Sequence, residues 1–473
     1  MKIVVRVELV TDWGEKRSVE VGRVERPSQT LGPDDVGLTL DDGKRLLHSL
    51  QQSVVHAQAE EIDELSRICR GCHRRTPIKD YRQRKVDTVF GTVTFRSPRI
   101  ITCDCDPPFF LTMPLRPLRP IVPERATPEL QALQARLAAQ MSYRQAAAMI
   151  REFLPIGDKV NHGTIRNRTL HVGAQIDKIV VPQTLVPMNR TSTGWTMAID
   201  GGFVHGRSRG GNGNFELLVG RLKASGVKPY VFAWVRGEIE STVDRISTLA
   251  MTQSGATRPR LTVITDGANS LQHIYRQLPF PTRPILDWFH VSMRVRYLEQ
   301  IAGALLARTD TERITKRLLI GLLGRLRWCF WHANLEKAED RMRQVLMFCR
   351  IVVAETPKFE NSLKQLDYRL REFFDYLQNN RGTTINYGKL HRAGQPISTA
   401  MAESAVNQVL NQRMCKQQQM RWTPRGAHLL AQVRCAVING DLTAKLRECK
   451  AQSEEPIPEN VARFLEELQR VAA

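Results

Sequence analysis

A chain of 473 residues has room for roughly two to four domains. Hydrophobic residues make up 42% and charged residues 25%, which excludes a chain that is disordered or collagen-like throughout. Lys and Arg number 69 against 48 Asp and Glu, a net charge of +21 with a pI near 9.9, and an excess of that size points to a polyanionic partner such as nucleic acid. No apolar run approaches the roughly 18 residues of a membrane span. The best candidate, Leu318–Leu323, is closed by Arg317 and Arg325. The first residues, Met1 to Arg6, lack the apolar core of a signal peptide, so the expectation is a cytoplasmic protein with no membrane partner. Nine cysteines without a secretion signal favour metal binding or buried thiols over disulfides.

Residues 2–25 alternate in the manner of a β-hairpin turning at Asp12-Trp13-Gly14, and residues 41–68 read as an amphipathic helix, together a first segment over 1–64. A zinc-ribbon-like module is expected over 65–118. Cys69-Arg-Gly-Cys72 is a knuckle, Cys103-Asp-Cys105 closes the segment, and a hairpin pattern lies between them. Four thiolates in two close pairs suit one structural Zn²⁺ held as a tetrahedron, although the second pair has one intervening residue where two are commoner.

Residues 106–125 read as a Pro- and Arg-rich linker. Over 125–180, Thr127-Pro128 opens one helix, Ser142 and Gln145 form a capping box for a second, and a third begins near Asn161. The third buries Ile165 and Val172 and offers Arg166, Asn167 and Arg168 on its other face, as the reading helix of a helix-turn-helix does. A second linker covers 181–194.

The pattern then becomes α/β. Strands are expected at Trp195–Ile199, Phe215–Lys223 and Pro229–Val235, then a helix, a strand Leu261–Thr265, a helix, and a short strand Pro284–Leu286. That is the element order of a ribonuclease-H-like core, here 194–295 and 398–440, interrupted by an all-helical, basic insertion over 296–397 and followed by a tail over 441–473. In such a sheet the carboxylates after the first and fourth strands are neighbours, and a third enters from a later helix. Asp200 and Asp266 each follow an apolar strand and precede glycine. Glu403 stands just ahead of an acid-free tract, Ser404 to Gly440, that holds five Lys and Arg. Three such carboxylates suit two Mg²⁺ or Mn²⁺ ions about 3.5–4 Å apart. His290, in Asp287-Trp-Phe-His290, reads as either an active-site neighbour or a core histidine. Trp422, between Arg421 and Arg425, reads as either a base-stacking platform or core. The segment Phe203-Val-His205-Gly-Arg207 reads as a substrate contact or a plain loop.

Ala198–Phe203, Ile264–Ala268, Asp287–His290 and Ala402–Asn407, with the tract carrying Arg413, Trp422-Thr-Pro-Arg425 and Val433-Arg-Cys435, resemble the bacterial insertion-sequence transposases of the DDE class. Within these the chain is most similar to the Kra-type family of the Mutator-like group. The cysteine module and the 127–173 helices are similar to it too, so the resemblance spans most of the chain. It implies a DNA transposase, acting as a homo-oligomer in the nucleoid on double-stranded element ends and target. It also implies Asp200, Asp266 and Glu403 as the metal triad, and Asp287-x-x-His290 as the signature that follows the second aspartate. The 136 residues between Asp266 and Glu403 match families with a helical insertion there. Arg413, Lys416, Trp422 and Arg425 are expected to contact DNA. A ribonuclease-H-like nuclease or resolvase without joining activity is the alternative enzyme. A zinc and helix-turn-helix regulator with a dead catalytic domain is the alternative outside enzymes.

Overall fold

The computed structural model describes residues 1–11, 14–26, 32–33, 36–69, 72–101, 103, 116–121, 123–157, 160–179, 194–207, 213–418 and 420–453. The expected turn residues Asp12 and Trp13, the fourth cysteine Cys105, most of both linkers, and the tail beyond 453 lie outside these. The chain is mixed α+β and divides into two compact units, Met1–Lys178 with Gly440–Ala473, and Ile179–Asn439.

The first unit opens with an antiparallel hairpin, β1 (Lys2–Val10) and β2 (Lys16–Glu25), followed by α1 (Leu40–Ser66). Thr39 caps α1 in a capping box with Asp42. A second hairpin pairs β3 (Ile78–Thr88) with β4 (Gly91–Ile100), and Val86, Val93 and Phe95 pack with Ala59 of α1 as a small core. Beyond a short helix, α2 (Leu118–Ile121), come α3 (Pro128–Gln140), α4 (Tyr143–Phe153) and α5 (His162–Lys178). Thr127 caps α3 with Pro128 in its first turn, and the Ser142–Gln145 capping box starts α4.

The second unit is built on a five-stranded sheet in the order β7-β6-β5-β8-β9. Its strands are β5 (Trp195–Val204), β6 (Phe215–Ala224), β7 (Tyr230–Val235), β8 (Leu261–Thr265) and β9 (Thr282–Leu286). β5, β6 and β7 meander antiparallel, and β8 and β9 join parallel on the other side of β5. The crossovers are α6 (Ile239–Ser254) and α7 (Asn269–Arg276), which pack on the face carrying Met197, Ile199 and Val263. Then follow α8 (Trp288–Gly303), α9 (Asp310–Trp331), α10 (Leu335–Glu355) and α11 (Glu360–Asn379), which bury Val295, Leu323, Val345 and Leu370 in a core of their own. α12 (Tyr387–Arg392) and α13 (Ala400–Val406) return the chain to the sheet, over the face carrying Ala198, Ile264 and Ala402. α13 runs directly into a π-helical stretch, Asn407–Cys415. α14 (Pro424–Asn439) ends the unit, and α15 (Leu442–Ser453) belongs to the first unit, against α3 and α5.

The outer edge of β7 would expose alternate backbone groups, a liability in any sheet. α14 covers it with side chains. Asn439 accepts from Val231 N–H and donates to Val231 C=O, both at 2.8 Å. Gln432 donates to Ala233 C=O at 2.8 Å, and Val235 N–H donates to His428 Nδ1 at 3.3 Å. We expect Asn439→Ala, which strips both partners from buried Val231, to destabilise this unit by about 1–3 kcal/mol. Unfolding monitored by tryptophan fluorescence checks this, since the unit holds Trp195 and Trp234 in its core. An unchanged midpoint would show that water replaces the cap.

Candidate functional site

β5 pairs with β6 from Trp195 to Val204, but with β8 only from Trp195 to Ala198. The strand thus runs past Asp200, further than its sequence pattern suggests, and a cleft opens between β5 and β8 beyond Ala198. Ala198 is the register partner of Ile264. Two residues further on, Asp200 shares the face of Ala198, because side chains alternate along a strand, and Asp266, the first residue past β8, is close enough for its charge to act on Asp200. The face of Ala198 is the one α13 covers, and α13 carries Glu403.

Two glycines make the approach possible. A Cβ at Gly202 would meet Leu410 Cδ1 at 2.2 Å, so a bare backbone lets the π-helical stretch after Glu403 sit on β5. Gly267 has φ +83°, and a Cβ there would meet Asn380 Oδ1 and Leu286 Cδ1, both at 2.6 Å. The Asp266 turn is fixed from outside. Its Oδ1 accepts from Ala268 N–H at 2.9 Å, its carbonyl accepts from Tyr376 Oη at 2.6 Å, and Gln272 Nε2 donates to Gly267 C=O at 3.2 Å and Asn380 Oδ1 at 2.9 Å.

Asp287 is fully buried at the start of α8. Its Oδ1 accepts from Phe289 N–H at 2.8 Å, and its Oδ2 accepts from the Thr399 hydroxyl. Thr399 is the N-cap residue of α13, and its carbonyl accepts from Glu403 N–H at 2.9 Å. One carboxylate therefore ties the helix bearing His290 to the helix bearing Glu403. His290 Nε2 lies 3.7 Å from Asp287 Oδ2 and 3.9 Å from Glu403 Oε1, and the three ligand atoms lie within 4.8 Å of one another. His290 and Glu403 are half-exposed, so they face the cleft while Asp287 stands behind them.

Burial raises the Asp200 carboxyl above the usual aspartate range; Gly201 N–H at 2.8 Å opposes this, and Asp266 beside it pushes further up. His290 and Glu403 act on it more weakly, in opposite directions. A cation placed among these oxygens would relieve the repulsion. Among the described residues the acidic group whose ligand atoms lie within 4.8 Å of one another is Asp287, His290 and Glu403, and Asp200 and Asp266 stand outside it; carboxylates so placed suit a hard divalent ion such as Mg²⁺ or Mn²⁺.

The remaining residues of interest divide by exposure. Lys416 and Arg425 are exposed, as are Arg166 and Asn167. Arg168 is turned inward, donating to Asp87 Oδ2 at 2.5 Å and Gln134 Oε1 at 3.3 Å, which ties α5 to β3 and α3. Arg413 and Trp422, expected to touch DNA, are instead interior at 0% and 5% exposure. The Arg413 guanidinium lies 5.5 Å from the Trp422 ring centre, and Trp422 Nε1 donates to Met414 C=O at 3.2 Å. Neither can reach a phosphate or stack on a base without leaving the core. Arg434 is likewise buried, its guanidinium donating to the Gln408 and Val409 carbonyls of the π-helical stretch, and burial pushes its pKa down to about 10. The sequence carried no periodic signal for that stretch, in which one-turn spacing changes from four residues to five.

In the first unit, the register that pairs Ile78 with Ile100 brings the segments flanking the second hairpin together. The knuckle is closed by His73 N–H to Cys69 C=O at 2.7 Å and Cys69 N–H to Arg74 C=O at 2.9 Å. Cys72 and Cys103 Sγ stand 3.7 Å apart, and Cys69 joins them within 4.8 Å. The edge of a tetrahedron with Zn–S bonds of ~2.3 Å is about 3.8 Å, so the three thiols fit a zinc ion.

No protein-family profile matches the chain, and no curated protein matches it in sequence. Among solved structures it is similar to the Drosophila P element transposase strand transfer complex, with 11% identity and a TM-score of 0.33 over 68% of this chain and 94% of that one. A likeness at that level establishes neither fold nor function, and the chemistry of the site stands on its own residues. No helix among the described residues is long and apolar enough to cross a membrane.

The raised Asp200 pKa has a definite sign. The folded protein holds this proton more tightly than the unfolded chain. The stability it contributes is full below the ordinary aspartate value of about 3.9 and is lost as pH rises through the raised value. Without divalent metal, Asp200→Asn should therefore unfold at a higher temperature than the parent at pH 7, with the difference closing as pH falls toward about 4. Magnesium should stabilise the parent alone. A less stable Asn variant at pH 7 would contradict the account.

For the thiol cluster, protein purified under reducing conditions should carry one zinc per chain by elemental analysis, and Cys72→Ser should lower that content. Metal-free protein with an intact first unit would remove zinc from the description.

Proposed function

We propose that the chain is a DNA transposase with a ribonuclease-H-like core, of the Kra-type family in the Mutator-like group that its motifs resemble. The carrying observation is that Asp200, two residues past Ala198 on β5, and Asp266, just past the end of β8, stand near the helix α13 that bears Glu403 and packs on β5, with the charges of Asp266 and Glu403 both acting on Asp200. The strand order supports the same core, with the third strand at one edge and the first strand central.

In this reading Asp200, Asp266 and Glu403 hold two Mg²⁺ or Mn²⁺ ions. When bound, such ions polarise the phosphate and lower the pKa of an attacking water or 3′-hydroxyl. Asp287 acts by position, since its oxygens are committed to Phe289 and Thr399. His290, between Asp287 and Glu403, is set to receive a hydrogen bond or contact a phosphate at the cleft. Cleavage forms a bond from water oxygen to phosphorus and releases a 3′-hydroxyl. Joining forms a bond from that hydroxyl to a target phosphorus and releases another. Each step exchanges one phosphodiester oxygen for another and consumes no cofactor.

Arg166 and Asn167 on the exposed face of α5 read the element ends, while Lys416 and Arg425 hold backbone phosphates without reading sequence. The partner is double-stranded DNA, the protein works as a homo-oligomer on it in the nucleoid, and one Zn²⁺ on the cysteine cluster supports the first unit.

The test is strand cleavage of a supercoiled plasmid carrying the DNA that flanks the gene, with full-length protein and Mg²⁺ or Mn²⁺. Asp266→Asn and Glu403→Gln should lower cleavage by more than about 100-fold while leaving duplex affinity within about twofold. Near-parental cleavage by Asp266→Asn would overturn the assignment. Cleavage without joined products would leave a nuclease in place of a transposase.

A further inference from the structure

Two stretches of this chain contain no Asp or Glu, residues 201–215 and residues 404–440. They lie some two hundred positions apart, and the fold joins them. The Cys415 thiol donates to Phe203 C=O at 3.3 Å. Trp422 N–H donates to His205 C=O at 2.9 Å, and Arg207 N–H returns to Trp422 C=O at 2.9 Å, so Gly206 and Trp422 form a parallel bridge. Lys416 thus follows a residue that touches Phe203, and Arg421 precedes one that touches His205.

The surface so formed is cationic and carries one aromatic ring. His205, Arg207, Lys416, Arg421 and Arg425 are all exposed. Phe203 is 69% exposed, although the residues around it on β5 are partly or fully buried. Glu216, its register partner on β6, is closed off in an ion pair with Arg236 at 2.6 Å. A large apolar ring left in water at the rim of a cationic surface has no role in packing. It does suit a nucleobase, whose face stacks on an aromatic side chain while its phosphate meets a cation. In a duplex both faces of a base are already stacked, so the ring selects for an unpaired one. Phe203 lies three residues beyond Asp200 on the same strand, about 10 Å along it at ~3.3 Å per residue, and its ring leaves the opposite face of the strand from the Asp200 carboxylate.

We propose that this surface seats an unpaired nucleic-acid strand at the end of β5, beyond the carboxylates, with one base stacked on Phe203 and the backbone running along Arg207, Lys416 and Arg421. The proposal deepens the transposase reading by naming the state of the strand at the site, and it rests on that reading for its purpose. The binding it describes does not depend on cleavage. The interior position of Trp422 belongs to the same picture, since its backbone holds the two tracts together while Phe203 supplies the exposed ring.

The experiment is fluorescence anisotropy with full-length protein and no added magnesium. The two probes are a labelled oligothymidylate of about 15 nucleotides and a mixed-sequence duplex of the same length. Phe203→Ala should weaken binding of the single strand roughly fivefold to 100-fold and leave the duplex within about twofold. Phe203→Trp, which keeps a stacking face, should restore it. Arg207→Gln and Arg421→Gln should each flatten the salt dependence of single-strand binding by about 0.7 in log–log slope. Three outcomes overturn the proposal: no binding of oligothymidylate by the parent protein, equal loss on both probes for Phe203→Ala, or no rescue by Phe203→Trp. If the single-strand effect holds while the parent protein fails to cleave plasmid with Mg²⁺ or Mn²⁺, the surface stands and the transposase reading falls.

Discussion

Nearby carboxylates repel one another, and the second unit holds Asp200 partly buried with Asp266 close enough to act on it. Burial acts most on Asp200, and of the neighbouring charges Asp266 acts first, then His290 in the opposite direction, then Glu403, with no lysine or arginine among them. Backbone structure does the holding. β5 and β8 pair up to Ala198 and Ile264, and β8 then ends at Thr265 while β5 continues to Val204, which leaves the acids beyond the paired stretch. Gly202 admits the chain that follows Glu403, and Gly267 admits Asn380 beside Asp266. A raised Asp200 carboxyl is destabilising at neutral pH, and in the proposed reading a divalent ion would offset that cost.

The helical block between the second aspartate and the glutamate is coupled to this site by specific contacts. Tyr376 of α11 donates to the Asp266 carbonyl, and its ring carries the Arg294 guanidinium of α8 at 4.2 Å. Burial raises the Tyr376 hydroxyl pKa, so it stays protonated and remains a donor. Behind Asp287, Trp288 packs against Trp331 at 4.9 Å and Tyr387 at 5.0 Å, and Tyr387 donates to the Leu286 carbonyl at 2.8 Å. The block therefore bears on both ends of the cleft, through α11 at Asp266 and through the aromatic cluster at Asp287.

Much of this was legible in the sequence where local rules decide. Apolar runs ending in Asp-Gly marked β5 and β8, and period and capping residues marked α3 and α4. The Cys-x-x-Cys knuckle with a distal cysteine marked a thiol cluster, of which three members are brought together. What the sequence concealed depends on tertiary burial. An arginine with a tryptophan nearby in an acid-free tract looks like a DNA surface, yet Arg413 and Trp422 pack together inside. Arg168 shares a helix with Arg166 and Asn167, but Asp87, far away in sequence, claims it. The segment Phe203–Arg207 reads locally as a substrate contact or a plain loop, whereas Phe203 continues β5 with its ring exposed. Its exposure follows from β5 outrunning β8, which no local pattern records.

The central claim is that Asp200, Asp266 and Glu403 hold divalent metal in one site, with His290 alongside. Replacing Mg²⁺ with Fe²⁺ and adding ascorbate and peroxide generates hydroxyl radicals at the metal, which cut the nearest backbone. The account predicts cuts clustered at residues 200–202, 266–267, 287–290 and 403, suppressed by excess Mg²⁺. Cuts elsewhere in the chain, or scattered cuts that Mg²⁺ does not suppress, would contradict it.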